Sequence, residues 1–363
     1  MFITNSGIGL YSFRFELIEE LLRHGYKIYL VYPNGDKKEE FIKIGCQYID
    51  IPFDSSSTNP FNDIVLLFRF RNVIKRYKPD IALLYTIKPC IYAGYILSML
   101  HIPYICTVTG ISPALISKKF YIRIPSKYLS KIGYNGASVV YFQNSMNEEL
   151  FTQMKIALHK HEMIAGSGVN LDKFQLIDYP PDDGWIKLLY IGRLKKIKGI
   201  EELAFAITKA VKGGINVKCK VIGDLGDELP EFKHAINENI IKYEGVTDDV
   251  RPYISWCDAV ILPSYGEGMS NVLQEASACG RPVLASNISG CNEIFDEGIT
   301  GYGFNPKDSE STFEAIKLFC ETGYEQRKKM GIKAREKMEQ KFDRTRIINI
   351  YTDKIKELIG ENL

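Results

Sequence analysis

Short apolar, β-branched runs alternate along the chain with stretches whose apolar residues recur at helical spacing. In the first half, the runs 28–32 (IYLVY), 48–51, 81–85 (IALLY), 103–108 and 138–142 (SVVYF) predict strands. Most are apolar at successive positions, the mark of a parallel sheet covered by helices on both faces. Between them, 12–24 and 61–77 have the spacing of amphipathic helices, the former stopped by Gly25. After Asn170 the alternation restarts, with strands at 187–191 (KLLYI), 216–222, 240–243, 259–262 (AVIL) and 282–285 and helices near 199–212, 248–256 and 270–279. This pattern predicts an α/β chain of two doubly wound, Rossmann-like parallel-sheet domains facing across a cleft. Ligand chemistry then belongs at the carboxyl ends of the strands.

The expected divisions are an N-terminal domain at 1–172, a C-terminal domain at 173–340 and a closing helix at 341–363 that could cover either domain, its own or, by crossing back, the first. The stretch 175–186 (QLIDYPPDDGWI), with two prolines and three acids, suits an exposed linker. A length of 363 residues fits two domains, and 45% hydrophobic with 25% charged residues are ordinary globular proportions. The net charge of +2 hides a split: residues 1–164 hold 19 basic and 13 acidic side chains, the rest 27 and 31. Chance surface composition explains this split, and so does a basic face for an anionic membrane or ligand. Eight cysteines lie scattered without metal spacing, several in apolar runs, as reduced core thiols do. No basic-then-apolar leader is present, and the run from Ile91 to Ile105 is broken by His101 and Pro103 into a helix and a strand. A reducing cytoplasm is the expected compartment.

Two segments carry candidate chemistry. At 190–199 (YIGRLKKIKG) a strand ends at Gly192 and a helix begins near Gly199, so Arg193 and Lys198 project from a strand's carboxyl end. A phosphate there would find compensation, although a solvated basic turn reads the same way. At 262–282 (LPSYGEGMSNVLQEASACGRP) a strand runs through Gly266-Glu267-Gly268 into a helix starting at Ser270. Its first amides, Met269 to Asn271, form an anion site by geometry and dipole. Glu275 follows Glu267 by eight residues. The plainer alternatives are a tight turn and a surface acid. A carboxylate beside an anion-binding helix start makes sense when it accepts hydrogen bonds from hydroxyls. A sugar nucleotide offers both a diphosphate and hydroxyls.

The Glu267-x7-Glu275 pair, the loop from Gly192-Arg193-Leu194 to Lys198-Gly199, and Gly168-Val169-Asn170 with Phe174 resemble family 4 of the retaining, GT-B fold glycosyltransferases. The resemblance spans nearly the whole chain and is strongest over 164–303. It implies that Arg193 and Lys198 hold the donor diphosphate, that Glu275 binds the ribose hydroxyls, and that Glu267 binds the transferred sugar near its reacting carbon. Gly268, Met269, Ser270 and Asn271 would supply amides to the donor, and Asp224 with Val246 in the loop 244–247 would lie near the base. Thr4 to Gly9 resembles the family's first strand and glycine loop, which brings Gly7 and Gly9 close to the diphosphate and acceptor. Only Met1 to Thr4 precede that loop, shorter than the family's usual first strand, which points to a start of translation further upstream.

Thr86-Ile87-Lys88-Pro89 and Thr107-Val108-Thr109-Gly110 resemble a branch that assembles surface polysaccharide (O-antigen and capsule) on undecaprenyl-diphosphate sugars. That places Lys88 and Thr109 on the acceptor side. Many members have a histidine where Thr109 stands, so no imidazole role carries over. No Asp-x-Asp occurs, and neither a metal nor a cofactor is expected beyond the nucleotide-sugar donor, UDP by default. The implied function is a retaining hexosyl or N-acetylhexosaminyl transfer to a lipid-linked saccharide.

Lys118, Lys119, Arg123, Lys127 and Lys131 are interleaved with Phe120, Tyr121, Ile122, Ile124, Tyr128 and Leu129, and no acid lies between 111 and 135. Such a stretch suits an anionic bilayer and a peripheral position on the inner face of the plasma membrane; a solvated helix face is the alternative. No nucleic-acid partner is expected. The rival functions are transfer to a soluble acceptor, a GT-B fold sugar-nucleotide 2-epimerase, and a non-catalytic nucleotide-sugar-binding protein. A nicotinamide oxidoreductase is disfavoured, because Gly7-x-Gly9 is followed by Ser12 where the fingerprint needs a third glycine.

Overall fold

The computed structural model describes residues 1–54, 57, 59–112, 114–158 and 160–360; positions 361–363 of the expected closing segment lie outside the described residues. The chain forms two compact units, Met1–Ser167 with the C-terminal segment from Arg346, and Gly168–Thr345. The division thus falls at 167/168 and 345/346, where the sequence pattern put it after 172 and 340.

In the first unit the strands are β1 (Phe2–Ile3), β2 (Tyr29–Tyr32), β3 (Gln47–Asp50), β4 (Ala82–Tyr85), β5 (Tyr104–Val108), β6 (Val139–Phe142) and β7 (His161–Met163). All pair in parallel, in the order β3-β2-β1-β4-β5-β6-β7. β1 is only two residues long, yet Phe2 and Ile3 pair on both sides, with Leu30–Val31 and Leu83–Leu84. The order turns round between β1 and β4, which makes the carboxyl ends of those two strands the topological switch point.

Helices α1 (Gly7–Arg23), α2 (Lys38–Lys43), α3 (Pro60–Tyr77), α4 (Gly94–Met99, entered through a π-helical turn at Pro89–Ala93), α5 (Phe120–Asn135) and α6 (Ser145–Gln153) complete the unit's N-terminal part. α1 starts five residues before the expected position 12, because Ser6 caps it, its hydroxyl accepting from the Gly9 amide at 3.2 Å. Gly7 lies so close to the next loop that a Cβ there would stand 2.0 Å from the carbonyl oxygen of Asp36.

The second unit holds β8 (Ile186–Ile191), α7 (Ile200–Lys212), β9 (Val217–Ile222), α8 (Pro230–Asn237), β10 (Ile241–Tyr243), α9 (Arg251–Trp256), β11 (Ala259–Leu262), α10 (Asn271–Ala278), β12 (Val283–Ser286), β13 (Gly301–Phe304), α11 (Ser309–Glu321) and α12 (Tyr324–Lys337). Its sheet is also parallel, in the order β10-β9-β8-β11-β12-β13, with the switch point between β8 and β11. The stretch 175–186 is mostly exposed, as expected, but it belongs to this unit and is pinned to it by its backbone rather than linking the two units. The buried Arg281 guanidinium donates to the carbonyls of Ile177 and Asp178, and the Tyr179 hydroxyl donates to that of Asp258 at 3.0 Å. A buried guanidinium needs several acceptors, and this strand of backbone supplies them.

The chain re-enters the first unit through α13 (Arg344–Ile359), which contributes Ile347, Tyr351 and Ile355 to the core beside Leu17, Leu83 and Tyr141. The Tyr351 hydroxyl lies 2.6 Å from that of Thr107, and Arg14, also buried, sits over the rings of Tyr85 and Tyr351. Thr107 is therefore a packing residue. All eight cysteines are free thiols, seven of them buried. Among the described residues no helix is long and apolar enough to cross a membrane.

Candidate active site

Both segments singled out in the second unit leave strands at its switch point: Arg193 and Lys198 follow β8, Glu267 and Glu275 follow β11. Close backbone packing joins them. Gly199 has φ +68°, and a Cβ on it would lie 1.9 Å from the carbonyl oxygen of Pro263, so only glycine lets the basic loop reach the end of β11. The Tyr265 amide donates to the Ile197 carbonyl at 2.9 Å. Lys198 and Glu267 then meet as an ion pair, Nζ to Oε1 2.5 Å, with only 20% and 14% of their side chains exposed. Arg193 stands exposed on the rim, and its carbonyl accepts from the buried Tyr190 hydroxyl at 3.1 Å. Burial, and then the neighbouring Glu267 carboxylate, push the Tyr190 phenol above its ordinary range.

Helix α10 begins after Ser270, whose hydroxyl accepts from the Leu273 amide at 3.4 Å. Gly268 and Asn271 are half-buried and Met269 is buried, so the helix start is presented by a firmly packed turn. Glu275 lies one turn further on and is half-buried. Burial raises its carboxyl to about 7, against the opposing pull of Arg344 and Lys173. The bases of these elements are held as well. A Cβ on Gly223 would lie 1.8 Å from the Gly192 carbonyl, and the Leu194 amide donates to the Asp224 carbonyl at 2.8 Å. The Asp224 side chain is exposed, as is Val246 at 71% in its own loop. Cations, a helix start and two acids thus converge at one sheet edge, a set able to bind an anion flanked by hydroxyls.

Sequence reasoning missed the support beneath this turn. Gly290, at φ +91°, packs so tightly that a Cβ would lie 2.8 Å from the carbonyls of Glu267 and Gly268, and its own carbonyl accepts from the Ser270 amide at 2.9 Å. Glu293 fixes Gly290 in turn, accepting from its amide at 2.6 Å and from the Ser289 hydroxyl at 2.9 Å. The signal was present as Ser289-Gly290-x-x-Glu293 directly after a strand.

In the first unit, Gly7 and Gly9 open α1 after β1, Lys88 follows β4 and Thr109 follows β5, all at the carboxyl edge of the sheet. Lys88 Nζ lies 2.8 Å from Asp63 on α3, and Thr109 is exposed. Gly168, Val169 and Asn170 pair the chain's two crossing segments: the Val169 amide donates to the Phe342 carbonyl, and the Arg344 amide to the Val169 carbonyl.

Residues 186–321 match the family described as glycosyl transferases group 1, and residues 2–144 the family described as glycosyl transferase 4-like. The chain belongs to the family 4 glycosyltransferases. The N,N'-diacetylbacillosaminyl-diphospho-undecaprenol α-1,3-N-acetylgalactosaminyltransferase of Campylobacter jejuni is 25% identical over 337 residues, 88% of this chain and 89% of that protein. The capsular polysaccharide biosynthesis glycosyltransferase CapM of Staphylococcus aureus is 31% identical over 191 residues, 49% of this chain and half of CapM. Among solved structures, a glycosyltransferase from Rickettsia africae superposes with a TM-score of 0.79 at 21% identity over 99% of this chain and 98% of its own. Anabaena HepE, solved with UDP and glucose, gives 0.78 at 17% identity over 98% of both chains. These likenesses establish the GT-B fold for this glycosyltransferase.

Proposed function

We propose that this family 4 glycosyltransferase moves a hexose or N-acetylhexosamine, with retention, from a nucleotide sugar to a polyprenyl-diphosphate-linked saccharide in surface polysaccharide assembly. The observation that carries the donor half is the convergence of Arg193, Lys198, Glu267 and the start of α10 at one switch point. The lipid-linked half rests on the relatives from Campylobacter, whose name specifies such an acceptor, and Staphylococcus, whose name specifies capsular polysaccharide.

In this reading the donor's sugar–phosphate bond breaks and the nucleoside diphosphate leaves as an anion. Arg193, Lys198 and the α10 amides compensate the developing negative charge. Glu267 holds the sugar's hydroxyls beside the cationic anomeric carbon, and Glu275 takes the ribose hydroxyls. The acceptor oxygen bonds to that carbon on the face the phosphate leaves, and its proton passes to a diphosphate oxygen. Positive side chains and dipoles do the work a divalent ion does elsewhere, so EDTA leaves the rate unchanged. UDP is the nucleotide of choice, in keeping with HepE, which binds it. The exposed cations and aromatics of α5 support a peripheral place on the cytoplasmic face of an anionic membrane, where such acceptors reside.

Arg193→Ala and Glu267→Ala are expected to lower kcat by about 10²-fold or more while leaving the melting temperature within a few degrees of wild type. Full activity in either folded variant would remove the site from consideration.

A further inference from the structure

Two side chains with different duties in the proposed reaction hold each other in the free protein. Lys198 Nζ lies 2.5 Å from Glu267 Oε1, with only 20% and 14% of the two side chains exposed. Lys198 is to serve the donor's diphosphate, and Glu267 the hydroxyls of its sugar. A lysine ammonium is a point charge on a flexible stem, and a multiply charged diphosphate competes strongly with a single carboxylate for it. Donor binding therefore opens the pair.

The backbones on either side do not follow. Glu267 stands between Gly266 and Gly268 on a turn held from beneath, where a Cβ on Gly290 would lie 2.8 Å from the carbonyl oxygens of Glu267 and Gly268. The basic loop is fixed as well, the Lys198 amide donating to the Lys195 carbonyl at 2.8 Å and Gly199 packing against Pro263. Between two fixed backbones, the long lysine side chain is the one with the reach to change partners.

Opening has unequal consequences for two kinds of ligand. A nucleoside diphosphate draws Lys198 away and brings Glu267 nothing in exchange, so a largely buried carboxylate loses the cation that neutralises it. Its neighbours do not replace that cation. The Cys291 thiol and the Tyr190 phenol are both pushed up, first by burial and then by the Glu267 charge, so each stays neutral. A sugar nucleotide draws Lys198 to the same phosphates but carries hydroxyls that donate to the carboxylate.

We infer that the Lys198–Glu267 pair makes the site prefer an intact sugar nucleotide over the nucleoside diphosphate it leaves behind, and that re-forming the pair after transfer helps expel that product. The inference rests on the proposed function for the duties of the two side chains. The full chain is titrated by calorimetry, without acceptor, with UDP, GDP and dTDP. The same is done with UDP-glucose, UDP-galactose, UDP-N-acetylglucosamine, UDP-N-acetylgalactosamine, GDP-mannose and dTDP-glucose.

At least one sugar nucleotide is expected to bind wild type about tenfold or more tightly than its own nucleoside diphosphate. Glu267→Gln keeps the side chain's shape and deletes its charge. In that variant the nucleoside diphosphate should bind at least about fivefold more tightly than in wild type, and the sugar nucleotide no more tightly. Removing a negative charge near a diphosphate tightens binding by itself, so the substitution is repeated in a Lys198→Gln background, where the gain should fall below about twofold. Melting temperatures establish that each variant is folded. No preference for any sugar nucleotide in wild type, no gain for the nucleoside diphosphate in folded Glu267→Gln, or a gain that persists without Lys198 overturns the inference and leaves the donor site standing. No binding of any nucleotide by the folded wild-type chain overturns the donor reading, and the inference with it.

Discussion

At the residue scale, the site combines groups with unequal tolerance for burial. Lys198 and Glu267 neutralise each other at 2.5 Å, whereas Glu275 is held in a poorly solvated place that raises its carboxyl to about 7 from an ordinary value near 4.5. A carboxyl that binds its proton more tightly folded than unfolded adds stability at low pH, and that contribution is lost as pH rises from about 4.5 to about 7. Glu275→Gln is therefore expected to be neutral near pH 4.5 and stabilising above pH 7, by up to about 3 kcal/mol, in melts across that range. If the ionised carboxylate accepts the ribose hydroxyls, wild-type affinity for UDP also falls as pH drops below 7. The residues at 193, 198, 267 and 275 were legible because cations after one strand and spaced acids after another form a recognisable local pattern. Glu293 was not, because it acts through Gly290 on a turn more than 20 residues earlier, and only the fold brings them together.

At the element scale, the long apolar strands and amphipathic helices were legible, as were the edge strands β3 and β10, but the edge strands β7 and β13 were not. β7 is polar, reading His161-Glu162-Met163, and β13 carries Gly301 and Gly303, so neither shows the β-branched signature of a strand. Both pair on one side only, where less apolar surface is demanded. The junction of the basic loop with β11 depends on Gly199. Gly199→Ala forces a methyl group into the Pro263 carbonyl at a positive φ and is expected to cost at least about 2 kcal/mol, read as a lowered melting temperature. α5 makes a different demand. Its first turns expose Phe120, Tyr121 and Ile124 among Lys118, Lys119 and Arg123. Replacing those three cations by glutamate is expected to abolish co-sedimentation with phosphatidylglycerol vesicles and leave UDP binding intact; undiminished sedimentation would assign the patch to solvent.

At the scale of the whole molecule, each unit concentrates its polar chemistry at its own switch point, β8/β11 in the second and β1/β4 in the first. The charge division seen along the sequence survives the true boundaries: the first unit with its C-terminal segment carries 22 basic and 16 acidic residues, the second 24 and 28. A closing polar helix was legible, but which domain it covers was not, since its anchor, Thr107, Arg14 and Tyr351, comes from distant parts of the sequence. The central claim is that the switch point of the second unit binds a nucleotide sugar for retaining transfer. Its most direct measurement is NMR of the product formed by the purified chain from a panel of α-linked UDP-, GDP- and dTDP-sugars with a polyprenyl-diphosphate-linked saccharide. An α-linked product from at least one donor, lost in Arg193→Ala, is the expected result. A β-linked product, or neither binding nor turnover of any nucleotide sugar by the folded chain, would contradict it.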